Sequence, residues 1–213
     1  ELQRREWGLS DIFLTHHHDD HIAGVKALRA ATGAKVWGAA ADRHRLPPLD
    51  VALAEGDAVP FGPESGVVID VSGHTLGHIA YHFPASGLAF TGDSLMAGGC
   101  GRLFEGSPDQ MWASLQKLAA LPAETLICSG HEYTASNIRF ALTLEPGNAA
   151  LISRSERVGE ARRHGRPTVP VTLAEERATN PFLRADDPAL MAKWGGSAPH
   201  ETFAALRAAK DNF

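Results

Sequence analysis

The run LTHHHDDHIAG, residues 14–24, places four histidines and two aspartates in the six positions 16–21, between a strand-like apolar segment and a helix-like one. Imidazole and carboxylate packed this densely are costly to bury without partners. A fold that carries them must either leave them in water or gather them around metal. The residues alone leave both readings open.

The surrounding chain favours a layered scaffold. LSDIFL (9–14) reads as a strand running into the cluster, and IAGVKALRAAT (22–32) has apolar residues at helical spacing. Short strands are expected at 34–38, 66–72, 78–83 and 88–93, divided by turns bearing some of the 21 glycines and 13 prolines. Ser107, Pro108 and Gln110 spell a capping box ahead of MWASLQKLAAL, and TLICSGH (125–131) is a further strand. From about Ala135 the patterns are helical: SNIRFALTL, NAALISRSERVGEARR and ETFAALRAAKDNF. Between the last two, GRPTVPVTLAEERATNPFLR reads as an ordered, wandering connection. The expected fold class is α/β (α+β), with a sheet-and-helix domain over 1–133 and a helical subdomain over 134–213.

His16 and His18 stand two apart at a strand end, so their side chains leave one face and can converge on one ion. Asp20 and His21 follow the turn into the helix and can reach a neighbouring ion. Further ligand-type residues close other strands: His74 in VSGHTLGH, Asp93 in FTGDS and His131 in SGHEYT. Taken singly, each is better read as a structural histidine or turn aspartate. An expression tag is disfavoured, because the oligo-histidine run is internal.

Together these residues carry a family resemblance. THHHDDH fits the T-H-x-H-x-D-H signature of the metallo-β-lactamase fold, and GHTLGH, TGD and GHEYT follow in that fold's order. GDSLMAGGCGRLFEG, HEYTASNIRFALTLEPGNAAL, PTVPVTLAEERATNPFLR and LRAAKDNF resemble the hydroxyacylglutathione hydrolase (glyoxalase II) branch across essentially the whole chain. The resemblance implies a four-layer αβ/βα sandwich. That family's first strands precede the signature by some tens of residues, and here they are absent. ELQRREWG, which lacks Met, resembles the last turns of a helix, so N-terminal residues are expected to be missing.

The resemblance also implies a ligand set. His16, His18 and His74 would hold the first metal; Asp20, His21 and His131 would hold the second, with Asp93 bridging. His17 and Asp19 fall at variable positions, and His78 reads as a neighbour of the ligands. The family's substrate is S-D-lactoylglutathione, hydrolysed to D-lactate and glutathione in methylglyoxal detoxification. Arg207 and Lys210 match its R-x-x-K clamp, and Arg102, Tyr133 and Asn137 match other glutathione-contacting positions. Phe104 stands where the family often has Tyr, so one hydrogen bond worth ~0.5 to 1.5 kcal/mol is expected to be lost.

The chemistry follows from the ligands. Two metals about 3.5 to 4 Å apart can share a bridging hydroxide near neutral pH, with Asp20 and Asp93 in the catalytic centre. A thioester suits such a site, because its thiolate, of pKa near ~8.5, leaves without strong protonation. Mixed imidazole and carboxylate donors accept zinc, the expected metal, and also iron or manganese.

Other classes are weaker. A net charge of -5 gives no general attraction to nucleic acid or anionic membrane. No stretch reaches the ~18 apolar residues of a membrane span. Cys100 and Cys128 form no disulfide framework and read as small buried residues, which points to a cytoplasmic protein, expected to be a monomer. The four tryptophans, Trp7, Trp37, Trp112 and Trp194, read as packing residues. A mono-iron glutathione persulfide dioxygenase and a non-catalytic metal-binding protein are the alternatives.

Overall fold

The computed structural model describes residues 1–213. Strand β1 (Asp11–Phe13) runs into the histidine cluster, which passes into the one-turn helix α1 (Asp19–Ile22) and then α2 (Val25–Thr32). The single helix expected over 22–32 is thus divided at Ala23 and Gly24, because glycine costs a helix interior about 1 kcal/mol. Strands β2 (Lys35–Ala39), β3 (Val51–Leu53), β4 (Ala58–Phe61), β5 (Glu64–Asp70), β6 (Ile79–Phe83) and β7 (Leu88–Gly92) follow. A tight hairpin, β8 (Leu95–Met96) and β9 (Gly99–Cys100), leads to α3 (Pro108–Ala119) and β10 (Leu126–Ser129). The rest is α4 (Thr134–Leu144), α5 (Ala149–Arg163), β11 (Val171–Thr172), α6 (Leu173–Thr179), α7 (Pro188–Trp194) and α8 (Pro199–Asp211).

Three parallel strands, β1-β2-β3, make a small sheet, and the large sheet runs β11-β10-β7-β6-β5-β4. Side-chain alternation along the large sheet feeds two cores. Val68, Ile79, Tyr81 and Phe83 join the core shared with the small sheet, where Phe13 meets Tyr81 at 5.4 Å between ring centroids. Their neighbours Ile69 and Ala80 pack the other way, with Met111, Leu115 and Leu118 of α3 and Phe203 and Leu206 of α8. Each wholly buried leucine there contributes roughly 1.5–3 kcal/mol. With α2 against β2 through Val25, the order is helix, sheet, sheet, helix, the expected four-layer sandwich.

The capping box forms as read: Ser107 Oγ accepts the Gln110 N–H at 3.2 Å, and Gln110 Oε1 accepts the Ser107 N–H at 2.9 Å. The connection over 165–184 is more regular than expected. It holds β11 and α6, whose start is capped by the Thr172 hydroxyl. Trp7 is not a packing residue; it is 59% exposed ahead of β1, with the Arg5 guanidinium 4.7 Å from its ring centre. Beside β1, Phe13, Phe61, Tyr81, Phe83 and Phe90 line an open apolar cavity of about 570 Å³, where part of the large sheet is uncovered.

Candidate metal centre and its adjoining cavity

Five chain segments meet where strands β1, β7 and β10 end and β6 begins. His16 and His18 leave β1, Asp20 and His21 sit on α1, His74 precedes β6, Asp93 follows β7 and His131 follows β10. Their approach leaves no room for side chains between them. A Cβ on Gly130 would lie 2.4 Å from Asp93 Oδ1 and 2.8 Å from His21 Cε1.

Three overlapping donor groups result: two share no residue, and the third, His16, His21 and Asp93, spans them. His16, His18 and His74 form one, with His18 Nδ1 and His74 Nε2 3.0 Å apart. Asp20, His21 and His131 form the other: His131 Nε2 lies 3.2 Å from His21 Nε2 and 3.2 Å from Asp20 Oδ2. Asp93 stands between them. Its Oδ2 is 3.2 Å from His131 Nε2 and 3.7 Å from His74 Nε2, and its Oδ1 is 3.3 Å from His21 Nε2.

The protonation states of the first group suit metal, whereas the Asp93 carboxylate raises His21 above an ordinary histidine. His74 Nδ1 lies 2.8 Å from the Arg102 carbonyl, which can only accept, so Nδ1 carries the hydrogen and Nε2 turns a lone pair inward. Burial, reinforced by neighbouring imidazoles, pushes His16 far below its ordinary pKa; burial also lowers His18 and His74. These rings are neutral at pH 7, the form that ligates. Burial alone would raise Asp93, yet the facing His21, His131 and His74 hold its carboxyl below the usual range.

The residues fit divalent cations. His16 Nε2 and Asp93 Oδ1 are buried with no hydrogen-bond partner. Such orphans are expensive, and a cation bound by both groups satisfies them together.

A cavity of about 540 Å³ extends from these donors to the last helix. His18, Asp20, His74, Asp93 and His131 line one end, and Arg207 and Lys210 of α8 line the other. Arg207 is buried, with Nη1 donating to the Cys100 carbonyl and Nη2 to Asp211 Oδ1, both at 2.9 Å, while its Nε has no partner. Lys210 Nζ rests 3.4 Å from Ser136 Oγ. Arg102 pairs with Asp211 at 3.2 Å, and Tyr133 stacks on His131 with ring centres 4.7 Å apart. Asn137 borders the cavity, but its Nδ2 is committed to the Ala97 carbonyl at 3.0 Å, leaving Oδ1 for any ligand.

The remaining candidates belong to none of these donor groups. His17 turns away to Asp42, and Asp19 is exposed at the start of α1. His78 is wholly buried and accepts the Asp93 N–H on Nε2 at 3.1 Å. Burial raises the Cys100 thiol to about 11, so it is no nucleophile; Cys128 is only partly buried. Sequence reasoning missed the backbone carbonyls of Cys100 and Arg102, which orient Arg207 and His74, because a carbonyl carries no residue-type signal.

The fold and its paired donor groups define a metallo-β-lactamase-fold, metal-dependent hydrolase. The metallo-beta-lactamase superfamily model matches residues 1–131, and the model for the hydroxyacylglutathione hydrolase C-terminus matches residues 132–213. Among solved structures, BLEG-1 B3 metallo-beta-lactamase aligns at a TM-score of 0.64 and 24% identity, over 85% of this chain and 80% of that one. TTHA1623 in a di-iron-bound form aligns at 0.61 and 28% identity, over 85% and 81%. The hydroxyacylglutathione hydrolase of Fuscovulum blasticum is 67% identical over the whole of this chain and 84% of its own length. The chain belongs to the hydroxyacylglutathione hydrolase family.

Proposed function

We propose that this chain hydrolyses S-D-lactoylglutathione to D-lactate and glutathione, the second step of methylglyoxal detoxification. The observation that carries the proposal is the single cavity joining the metal donors to Arg207 and Lys210. Glutathione presents carboxylates, and two cations at the far end of the cavity are suited to grip one while the acyl group lies by the donors.

His16, His18 and His74 would hold one divalent ion and Asp20, His21 and His131 the other, with Asp93 shared. When bound, the ions supply an acidified water as nucleophile and polarise the thioester carbonyl. The proposed metals are zinc; the same donors accept iron or manganese, and a related structure is described in a di-iron-bound form. A one-ion enzyme would have no use for the second donor group, which disfavours the mono-iron alternative.

The protein's own part is orientation and charge. Asp93 faces both donor groups and would offset part of the charge of the ions they hold; Arg207, held by the Cys100 carbonyl, would fix the peptide end. Tyr133 and Arg102 line the approach, and Phe104 supplies an apolar wall without a hydroxyl. Water oxygen bonds to the acyl carbon, the C–S bond breaks with its electron pair on sulfur, and of the two water protons one goes to the glutathione thiolate and the other to solvent, leaving D-lactate as its carboxylate. Residues 1–133 would carry the chemistry and 134–213 most of the substrate recognition.

The chain is further proposed to act as a monomer in the cytoplasm. No helix is long and apolar enough to cross a membrane. Purified protein should hydrolyse S-D-lactoylglutathione with close to two metals per chain on the same sample. Two metals without turnover would refute the assigned substrate.

A further inference from the structure

His17, the middle histidine of HHH, is engaged on the far side of the ligands. Its Nδ1 lies 2.8 Å from Oδ2 of Asp42, a carboxylate only 1% exposed in the turn after β2. Asp42 Oδ1 accepts Nε–H of Arg45 at 2.7 Å. The Arg45 guanidinium also forks onto Glu105, with Nη2 3.1 Å from Oε2 and Nη1 on Oε1. Glu105 Oε2 in turn accepts the Leu76 N–H at 2.8 Å, and Oε1 lies 3.7 Å from His17 Nε2, which closes the ring.

Three irregular segments are tied by these contacts. One carries His16 and His18, one carries His74, and the third carries Phe104, whose ring packs 5.6 Å from that of His18 and 5.3 Å from that of His74. None is held by a strand ladder at the ligand itself, so side chains must supply the fixed geometry. The approach is close: a Cβ on Gly77 would lie 2.5 Å from Asp42 Cβ and Cγ. A carboxylate as buried as Asp42 is tolerated because His17 and Arg45 meet both its oxygens.

We propose that His17, Asp42, Arg45 and Glu105 form a positioning clasp that sets the affinity of the first metal group, His16, His18 and His74, independently of the second. The clasp touches no residue of the group Asp20, His21 and His131 except through the chain. It rests on the two-metal reading above. Outer partners of metal ligands act in this way by fixing ring orientation before the ion arrives.

The test is cobalt titration of the full chain, followed by ligand-field absorption and by chelator competition. His17→Leu should weaken one of two cobalt ions by about 10- to 100-fold and leave the other within about threefold. His17→Asn, whose amide nitrogen can stand where Nδ1 stands and donate to Asp42, should restore most of that affinity. Glu105→Ala, at the partly exposed rim, should weaken the same ion and gives a second route should His17→Leu fold poorly. Both ions bound as in the wild type by His17→Leu and Glu105→Ala, with only the melting temperature lowered, would overturn the clasp, as would equal loss at both sites. A wild-type chain that takes up no cobalt pair would overturn the metal reading and the clasp with it.

Discussion

The backbone N–H of Asp93 donates to Nε2 of His78 at 3.1 Å, so the residue between the two donor groups is held from behind by a histidine that lies outside the donor groups. His78 is wholly buried, stacks 4.6 Å from His16, and is pushed by burial to a pKa of about 3, so it accepts at every physiological pH. His78→Ala should lower kcat/KM by about 10- to 100-fold and reduce bound metal below that of the wild type. His78→Gln, which keeps an acceptor near the Nε2 position, should recover part of both. Steady-state kinetics with metal analysis of each variant would check this.

Lys210 and Arg207 should act on affinity rather than on chemistry. A charged hydrogen bond contributes ~1.5 kcal/mol or more, so Lys210→Ala should raise KM by about 10-fold or more with kcat within about twofold. Burial, aided by the nearby Arg207, Arg139 and Arg102, holds Lys210 below an ordinary lysine. Its charge is therefore lost earlier as pH rises, and KM should climb on the alkaline side. Lys210→Arg, which stays charged, should flatten that rise.

Glu105 should leave a signature in acid unfolding of the metal-free chain. Arg45 is the main cause of its carboxyl falling from 4.5 to about 2. Below 4.5 the unfolded chain takes up a proton that the folded chain refuses, so the stability this group supplies is complete above 4.5 and lost as pH falls toward 2. Glu105→Gln should be less stable than wild type at pH near ~6, with the gap closing as pH falls. Urea midpoints across that range would show it.

Much of this was legible because ligands and strands leave strong local marks. THHHDDH, Gly-His and Gly-Asp each announced a strand end, and the short runs HIAYHF and GVVIDVS, bounded by turn residues, announced the sheet. The strands β3 and β4 escaped notice: they are short and lie among Pro47, Pro48, Pro60 and Pro63, where turn signals dominate. Helix α6 has only seven residues, too few for periodicity to declare itself. The contacts that set Arg207, His74 and His17 in place could not be read at all. Cys100, Arg102 and Asp42 lie 107, 28 and 25 residues away from them, and only the fold brings them together.

The most direct test compares two thioesters of D-lactate on metal-loaded protein: S-D-lactoylglutathione and the D-lactoyl thioester of a thiol lacking carboxylates. Rapid hydrolysis of the first and a much higher KM for the second are expected, with the advantage lost in Lys210→Ala. Equal KM values for the two thioesters, or no turnover of the glutathione thioester by protein carrying two metals, would contradict the proposed function.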